Sequence, residues 1–356
     1  MAEIKKLDKS PLAAAECDNR VMDYEYTFGW TDADRAMLEK LQSFIPDKVF
    51  DAHAHLHHVK YMPQGDNMFQ GYGTADMERL LKDMKELYGD RKFRGLILPT
   101  PPMADEDDPA LRKEMNAWMN AELYKAPDCV GAVYVTPYDS KEDIEALLTN
   151  PQMRGFKCYH KSAQTDGSSW FAEVGQYLPE AAWEVADERG MSITIHMVRD
   201  KALSDEKNMA YFKEMTAKYP NAKLILAHCA RGFASWTTIE AVREMKGIPN
   251  LYYDMAAICD PATMFELIRQ AGPDHVMWGS DYFIDRAHGR PINTGESFRW
   301  MYKHEIPEEV VFPSCKTVLE SLLAFYQASL MLDLSKEDIE QVFYKTGCQL
   351  FGLKDE

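Results

Sequence analysis

The chain has 356 residues, of which 46% are hydrophobic and 27% are charged, which is the composition of a globular protein and not of a disordered one. Its formal net charge is −17 at pH 7, so a nucleic-acid partner is not expected, because such binding depends on clustered Lys and Arg. No stretch of eighteen apolar residues and no apolar signal segment is present, so no membrane partner is expected either. The seven cysteines lack CxxC spacing and are predicted to be reduced thiols of a cytoplasmic protein.

The predicted elements begin with a helix that starts after Thr31, which is a plausible N-cap for the segment TDADRAMLEKLQSFI. Eight β-rich runs follow, and amphipathic helical segments such as 75–89, 111–125, 177–190 and 210–220 alternate with them. The predicted strands cover 48–53, 93–100, 129–137, 154–160, 191–196, 222–228, 250–257 and 275–281.

This alternation predicts an α/β fold, a (β/α)8 TIM barrel, in preference to an open doubly wound sheet. A single domain is expected to span residues 1–356. It comprises an N-terminal extension over 1–46, a barrel core over about 47–300, and C-terminal helices over 316–352 that close the bottom and outside of the barrel. The segment 281–297 is predicted to be a long loop.

Histidines near the end of the first predicted strand are the first chemical signal. In the stretch VFDAHAHLHH, His53 and His55 are two residues apart, so their rings are expected on the same face of the strand, with Ala52 and Ala54 on the other. The two later histidines of the stretch are assigned to the loop that follows. An HxH pair at a strand end suits a metal ion but is a weak signal alone.

Matching residues end three later strands. His196, His228 and Asp281 end the fifth, sixth and eighth strands, and the carboxyl ends of barrel strands meet at one rim. Together with His53 and His55 they predict a metal site. Imidazoles with a carboxylate suit Zn²⁺ best, and Mn²⁺, Fe²⁺ and Co²⁺ accept the same ligands. Either His228 or Asp281 is the candidate catalytic group that takes a proton from the metal-bound water.

Lys157 on the fourth strand is predicted to face the barrel interior with Tyr159, opposite to Phe156 and Cys158. A carbamate formed from its amine and CO₂ would be a carboxylate-like ligand able to bridge two ions. The alternatives are a lysine that binds a substrate carboxylate or one that pairs with Asp281. One metal ion is therefore expected, or two if Lys157 is carbamylated.

Arginine side chains near the same rim suggest a small anionic substrate, because a guanidinium binds carboxylates in a bidentate manner. The candidate substrate-binding residues are Arg231, Arg199, Arg286, His160 and Tyr159.

The pattern HAH…K…H…H…GSD resembles the amidohydrolase superfamily, in particular its amidohydrolase-2 branch of TIM-barrel metal-dependent hydrolases. That branch contains lactonases and other hydrolases together with non-oxidative decarboxylases such as aminocarboxymuconate-semialdehyde decarboxylase. The resemblance implies that the metal ligands are His53, His55, His196 and Asp281. It also implies that His228 acts in catalysis or ligates a second metal.

Lys157 matches the position at which dinuclear members such as dihydroorotases and hydantoinases carry a carbamylated lysine. The chain departs from the branch at Thr346-Gly347, where Asn-Ala is customary before the final LFGL. It departs again at HCARG on the sixth strand, where HxGG is commoner.

These features predict a metal-dependent hydrolase in which a metal-bound hydroxide attacks a small carboxylate-bearing lactone, ester or amide. Two alternatives stay open. The first is a non-oxidative decarboxylase of an aromatic or unsaturated acid, in which His228 handles protons. The second is an inactive metal- or ligand-binding barrel. A homodimer is expected only because barrels of this kind associate through their outer helices.

Overall fold

The computed structural model describes residues 19–103, 108–306 and 314–354. Eight parallel strands form one sheet in chain order, each paired with the next. They are β1 Lys48–Leu56, β2 Lys92–Pro99, β3 Val130–Tyr134, β4 Met153–Cys158, β5 Ser192–Ile195, β6 Lys223–Leu226, β7 Leu251–Asp254 and β8 Val276–Met277. The first strand meets the segment after β8, because Ala52 N donates to Trp278 O at 2.8 Å and Asp281 N donates to His53 O at 2.8 Å. The predicted (β/α)8 barrel is confirmed.

A helix follows each strand, and this is what allows neighbouring strands to run parallel. The eight are Met77–Tyr88, Pro109–Leu123, Lys141–Leu147, Glu180–Arg189, Glu206–Lys218, Trp236–Ile239, Pro261–Ala271 and Thr317–Leu332. Shorter helices are Tyr24–Phe28 and Asp32–Leu41 before the barrel, Met68–Tyr72 after β1, and Lys336–Glu340, the π-helix Gln341–Lys345 and Thr346–Phe351 at the C-terminal end. Thr31 caps its helix as predicted, since its side chain accepts from Asp34 N.

The barrel interior near the start of the strands is filled by apolar side chains. These side chains belong to Phe50, Ala52, Leu96, Leu98, Val130, Ala132, Ile225, Met277, Tyr344, Cys348, Leu350 and Phe351. The Phe351 ring stacks on Phe50 with 5.7 Å between ring centres. The helix Thr346–Phe351 therefore covers the end of the barrel opposite to the carboxyl ends of the strands.

An irregularity in β1 changes the predicted alternation of its side chains. The register between β1 and β2 shifts between Asp51 and Ala54, so β1 contains one extra residue. Ala54 packs, as predicted, in the outer core, which is the set of apolar side chains shared by the strands and the surrounding helices. Ala52 instead packs with Phe50 in the barrel interior. The expectation that Ala52 faces outward is wrong for this reason.

The segment predicted to be a long loop contains regular structure. β9 Gly289–Thr294 and β10 Ser297–Tyr302 form an antiparallel hairpin after β8. The turn carries Gly295 at φ +65°. β9 contains Gly, Pro and Asn, which are typical of loops. Its partner β10 begins at Ser297, the last residue of the predicted loop, so the segment 281–297 alone gave no sign of the pairing.

No helix in the described parts of the chain is long and apolar enough to cross a membrane. Six cysteines in these parts are buried and unpaired, namely Cys129, Cys158, Cys229, Cys259, Cys315 and Cys348. Cys17 lies outside the described residues.

Candidate metal centre

Three of the predicted ligands come together at the carboxyl end of the barrel. The Nε2 atoms of His53 and His55 are 3.0 Å apart, and Asp281 Oδ1 lies 3.5 Å from the first and 3.8 Å from the second. A point about 2 Å from all three atoms satisfies these separations, and this is the usual length of Zn–N and Zn–O bonds. All three side chains are buried. The donor atoms therefore have the spacing of a metal site.

Hydrogen bonds determine which ring nitrogen of each histidine is free. His53 Nδ1 lies 2.8 Å from Asp254 Oδ2, and His55 Nδ1 lies 3.2 Å from Pro99 O. A carboxylate and a carbonyl oxygen only accept hydrogen bonds, so each Nδ1 carries the hydrogen and each Nε2 offers a lone pair. Two lone pairs 3.0 Å apart do not form a hydrogen bond with each other. A cation between them would remove this repulsion, so the residues fit a bound metal ion.

The electrostatics of the cluster also fit a cation. Burial lowers the pKa of His53 and His55 well below the usual range, so both rings are neutral, which is the form that binds a metal. Burial raises the pKa of Asp281 well above its usual range and raises that of Asp51 to about 6. Buried carboxylates are costly unless a positive charge compensates them. A divalent ion would provide that charge.

Lys157 is fully buried, and among the described residues its Nζ has no hydrogen-bond partner. The ammonium lies 5.0 Å from the centre of the Tyr159 ring, while Phe156 and Cys158 pack in the outer core as predicted. Burial lowers the pKa of Lys157 to about 8, because desolvation outweighs the attraction of the neighbouring carboxylates. A neutral amine, the form that reacts with CO₂, is therefore accessible near neutral pH.

His228 and His196 lie side by side next to the donor atoms. His228 Nδ1 lies 3.0 Å from Ala256 O, which leaves its Nε2 with a lone pair. Its ring is 4.6 Å from the ring of His53 and 5.1 Å from that of His196, measured between centres. His196 lies outside the compact group of donor atoms formed by His53, His55 and Asp281.

A cavity of about 160 Å³ opens beside these side chains. It is lined by His55, Phe69, Thr100, Pro101, Met103, Tyr159, His196, His228, Asp281, Phe283 and Ile284. Three of the predicted histidines, His55, His196 and His228, and the carboxylate of Asp281 thus face a small, mostly apolar space.

Asp254 is a site residue that the sequence analysis missed. Its Oδ2 accepts from His53 Nδ1, and its Oδ1 accepts from the backbone N–H groups of His228 at 2.9 Å and Ala256 at 3.1 Å. Asp254 has the spacing of a metal ligand with His53 and His228, but both of its oxygens already accept hydrogen bonds. Orienting a metal-binding histidine is therefore its better supported role. Its position at the end of β7, in NLYYDMAA, was the available signal.

Asp51 was missed as well. Its Oδ1 accepts from His53 N at 3.0 Å and from Ser280 N at 2.9 Å. Asp51 thereby joins β1 to the segment that leads to Asp281. The sequence pattern gave no indication of this role.

Arg231 lies near the site but is not among the residues that line the cavity. Its guanidinium lies 5.4 Å from the centre of the Trp170 ring and 5.7 Å from that of Phe298. Its Nη1 donates to Met197 O at 3.1 Å, and no carboxylate of the described residues forms an ion pair with it. It lies close enough to His196 to lower the pKa of that imidazole, after the larger effects of burial and of His228.

Two other arginines are already engaged elsewhere. Arg286 is 1% exposed and pairs with Glu86 at 3.0 Å and with Asp83 at 3.8 Å. Arg199 pairs with Asp205 at 2.8 Å. Both guanidinium groups are therefore engaged in ion pairs with acidic residues, and substrate binding by Arg286 or Arg199 stays a prediction that their surroundings do not support.

Tyr159 and His160 lie at the edge of the site. The Tyr159 hydroxyl is 3.4 Å from His55 Nε2 and lines the cavity. His160 Nδ1 lies 3.0 Å from Ser169 Oγ, and its ring packs 4.2 Å from Trp170 and 6.3 Å from His196. Tyr159 therefore forms part of the cavity wall, whereas His160 is not among the residues that line the cavity.

Comparisons with known proteins agree with the fold. No curated protein matches the sequence. Solved structures of similar fold include an amidohydrolase from Burkholderia multivorans with bound zinc, at a TM-score of 0.55 and 11% identity over 86% of this chain and 100% of that one. The 2,6-dihydroxybenzoate decarboxylase from Rhizobium has a TM-score of 0.55 and 11% identity over 86% and 99% of the two chains.

A protein named as a 2-pyrone-4,6-dicarboxylic acid hydrolase from Pseudomonas putida has a TM-score of 0.53 and 15% identity, over 88% of this chain and 100% of that one. Identities this low establish the fold alone. The family model described as Amidohydrolase matches residues 50–353, which is most of the chain. The chain therefore belongs to the amidohydrolase family.

Proposed function

We propose that this protein is a metal-dependent hydrolase of a small carboxylate-bearing lactone, ester or amide. The observation that carries the proposal is the pair of Nε2 lone pairs of His53 and His55, 3.0 Å apart and next to Asp281 Oδ1. His196, which lines the same cavity, is the proposed further ligand. A divalent cation held there would supply Lewis acidity, which activates water and polarises a carbonyl group. Zn²⁺ suits this donor set best, while Mn²⁺, Fe²⁺ and Co²⁺ share its ligands.

His228 is the proposed proton acceptor. Its Nδ1 donates to Ala256 O, so Nε2 is free to take a proton from the attacking water. Burial lowers the pKa of His228 to about 4, so the ring is neutral and ready to accept at neutral pH. Asp281 is the alternative acceptor, because its pKa is raised well above the usual range.

Arg231 is the proposed binding residue for the substrate carboxylate. Its guanidinium lies near two aromatic rings, Trp170 and Phe298, and forms no ion pair with a carboxylate of the described residues. A planar cation held in this way is well suited to bidentate contact with a carboxylate. Tyr159 and His160 would complete the polar wall of the site.

A second candidate function is non-oxidative decarboxylation, and the apolar cavity wall favours it. Phe69, Pro101, Met103, Phe283 and Ile284 surround much of the cavity of about 160 Å³. Such surroundings disfavour a charged carboxylate and favour its loss as neutral CO₂. In this reaction His228, after protonation, would donate its proton to the carbon that loses CO₂.

The chemical state of Lys157, amine or carbamate, determines whether one or two metal ions are proposed. Its buried Nζ, without a hydrogen-bond partner among the described residues, supports a carbamate that would hold a second ion. Metal content should then depend on bicarbonate and should fall in Lys157→Ala. A Lys157→Ala enzyme that is independent of CO₂ and keeps its metal stoichiometry would rule this role out.

The reaction is tested with zinc-loaded protein and a panel of lactones, esters, amides and aromatic or unsaturated acids. Acid release supports hydrolysis and CO₂ release supports decarboxylation. Asp281→Asn is the control for background reaction, because it removes a proposed ligand. Neither product from metal-loaded protein would contradict the enzymatic proposal and favour a binding role. The homodimer and the cytoplasmic location remain predictions.

A further inference from the structure

The turn that follows β6 has a left-handed backbone over four consecutive residues. His228, Cys229, Ala230 and Arg231 have φ values of 59°, 49°, 59° and 59°. Residues other than glycine rarely adopt this conformation, because Cβ comes too close to the following carbonyl oxygen. The turn begins with the proposed proton acceptor and ends with the proposed anion-binding arginine. Because this conformation is strained, contacts from the surrounding structure must hold the turn in place.

Two buried threonine hydroxyls contact the carbonyl groups of this turn. Thr238 Oγ1, from the helix Trp236–Ile239, donates to Cys229 O at 2.6 Å. Thr263 Oγ1, from the helix Pro261–Ala271, donates to Gly232 O at 3.3 Å. Both threonines are 0% exposed, so no solvent replaces these bonds if a hydroxyl is lost. The two helices thus fix the turn from the outside.

Gly232 allows the threonines to come this close. A Cβ at this position would lie 2.6 Å from Thr238 Oγ1 and 2.6 Å from Thr263 Cγ2, which is too short for packed atoms. Its backbone N also donates to His228 O at 2.7 Å and closes the turn. The glycine that ends HCARG is therefore required by the packing of the two threonine side chains.

We propose that Thr238 is a positioning residue for His228 and Arg231, with Thr263 in support. Its hydroxyl holds the left-handed turn, so that the imidazole stays beside His53 and the guanidinium stays near its two aromatic rings. The catalytic meaning of this inference rests on the proposed function. The mechanical claim, that the Thr238 hydroxyl keeps the turn closed, does not.

The mechanical claim is tested through the thiol of Cys229, which lies within the turn and is fully buried. Thr238→Val keeps the shape of the side chain and removes the hydroxyl. Labelling of Cys229 by iodoacetamide, followed by peptide mass spectrometry, should become about tenfold faster, because one lost hydrogen bond shifts the local opening equilibrium by that order. Cys158 and Cys348, buried elsewhere, serve as internal references.

Matched variants separate positioning from general packing. Thr238→Ser keeps a hydroxyl and should label at the wild-type rate. Ala230→Gly placed in the Thr238→Val background should restore slow labelling, since glycine adopts positive φ readily. Thr237→Val is the neighbouring control, because the Thr237 hydroxyl donates to Ala234 O at 2.9 Å within its own helical turn. It should leave Cys229 unchanged.

The same variants are assayed with the substrate found for the wild type. Thr238→Val should lower kcat/KM about tenfold at unchanged metal content, and both Thr238→Ser and the added Ala230→Gly should restore it. An unchanged labelling rate, equal acceleration at all thiols, or faster labelling with unchanged kcat/KM would overturn the inference. A wild-type protein without activity would contradict the proposed function, while the labelling would still test the turn.

Discussion

The chemistry of the site depends on which nitrogen of each imidazole is left free. Asp254, Pro99 and Ala256 each accept from an Nδ1, and this directs the Nε2 atoms toward the cluster. Without these acceptors either ring tautomer would be available, and the lone pairs would not be aligned. These acceptors therefore orient the imidazoles in the way that a bound metal ion would require.

Asp254→Asn tests this contribution. The amide can no longer provide a charged acceptor for His53 Nδ1, so metal affinity should fall by about 10- to 100-fold. Competition with a chromophoric chelator measures the affinity. Asp260→Asn is the control, because Asp260 caps the helix after β7 through Ala262 N and contacts none of the histidines. Equal affinity of Asp254→Asn and wild type would contradict the assigned role.

Sequence reasoning identified His53, His55, His228 and Asp281, because each sits at the end of a predicted strand. It missed Asp254 and Asp51, since a hydrogen bond from one strand to another depends on register. It also did not anticipate the ion pairs of Arg286, because nothing in the local sequence shows the acidic partners that the helix Met77–Tyr88 brings to it.

The hairpin of β9 and β10 is the element that sequence reasoning mistook for a loop. Trp300 and Tyr302 stack with ring centres 5.3 Å apart, and Tyr302 and His304 do so at the same separation. Trp300 also packs 5.5 Å from Phe233, which in turn lies 5.2 Å from His228. One face of the hairpin thus forms an aromatic wall next to the proposed proton acceptor.

Trp300→Ala should weaken substrate binding without loss of metal. Removing a large aromatic contact from the wall is expected to raise KM about tenfold, the equivalent of roughly 1.4 kcal/mol. Steady-state kinetics and metal analysis check both parts. Arg299→Ala, on the opposite, exposed face of the same strand, should leave KM unchanged. A loss of metal in Trp300→Ala, or an unchanged KM, would contradict this assignment.

The C-terminal helix closes the barrel and explains a departure from the family pattern. A Cβ at Gly347 would lie 2.2 Å from the Phe50 ring, so the alanine customary in the family does not fit. At the preceding position, Thr346 Oγ1 donates a hydrogen bond to Pro273 O at 3.0 Å. The order of strands and helices could be predicted from the sequence, but the contact between Phe50 in β1 and Gly347 in the C-terminal helix could not.

Gly347→Ala should destabilise the protein by about 1 to 3 kcal/mol, because an extra methyl group is forced into a filled interior. Urea denaturation measures the free energy of unfolding. Gly167→Ala, at an exposed glycine with no atom closer than 3.8 Å to a built Cβ, is the control and should be close to neutral. A neutral Gly347→Ala would show that Phe50 has room to move.

Lys316 joins the N-terminal extension to the loop after β8 and gives stability a pH dependence. Its Nζ donates to Phe28 O and, at 3.0 Å, to Arg286 O, and burial lowers its pKa to about 7. The unfolded chain keeps its proton up to a pKa near 10.5, so between pH 7 and 10.5 the unfolded state binds more protons and stability rises with pH.

The free energy of unfolding of wild type relative to Lys316→Met should therefore increase as the pH is raised from 7 toward 10. Urea denaturation at several pH values measures the difference. Lys336→Met removes an exposed lysine and should show no such slope. A flat or falling difference for Lys316→Met would contradict a depressed pKa.

We propose that His53, His55 and Asp281 hold a divalent metal ion, and metal analysis decides whether they do. Protein is stripped with chelator, reloaded with Zn²⁺, dialysed and analysed by mass spectrometry for bound metal, alongside His55→Ala and His57→Phe. His57 is two residues further along the same stretch and packs on Phe283 at 4.1 Å, outside the donor atoms. Wild type and His57→Phe should retain at least one equivalent, and His55→Ala should lose it. Wild-type protein without tightly bound metal, or His55→Ala with full metal content, would contradict the claim.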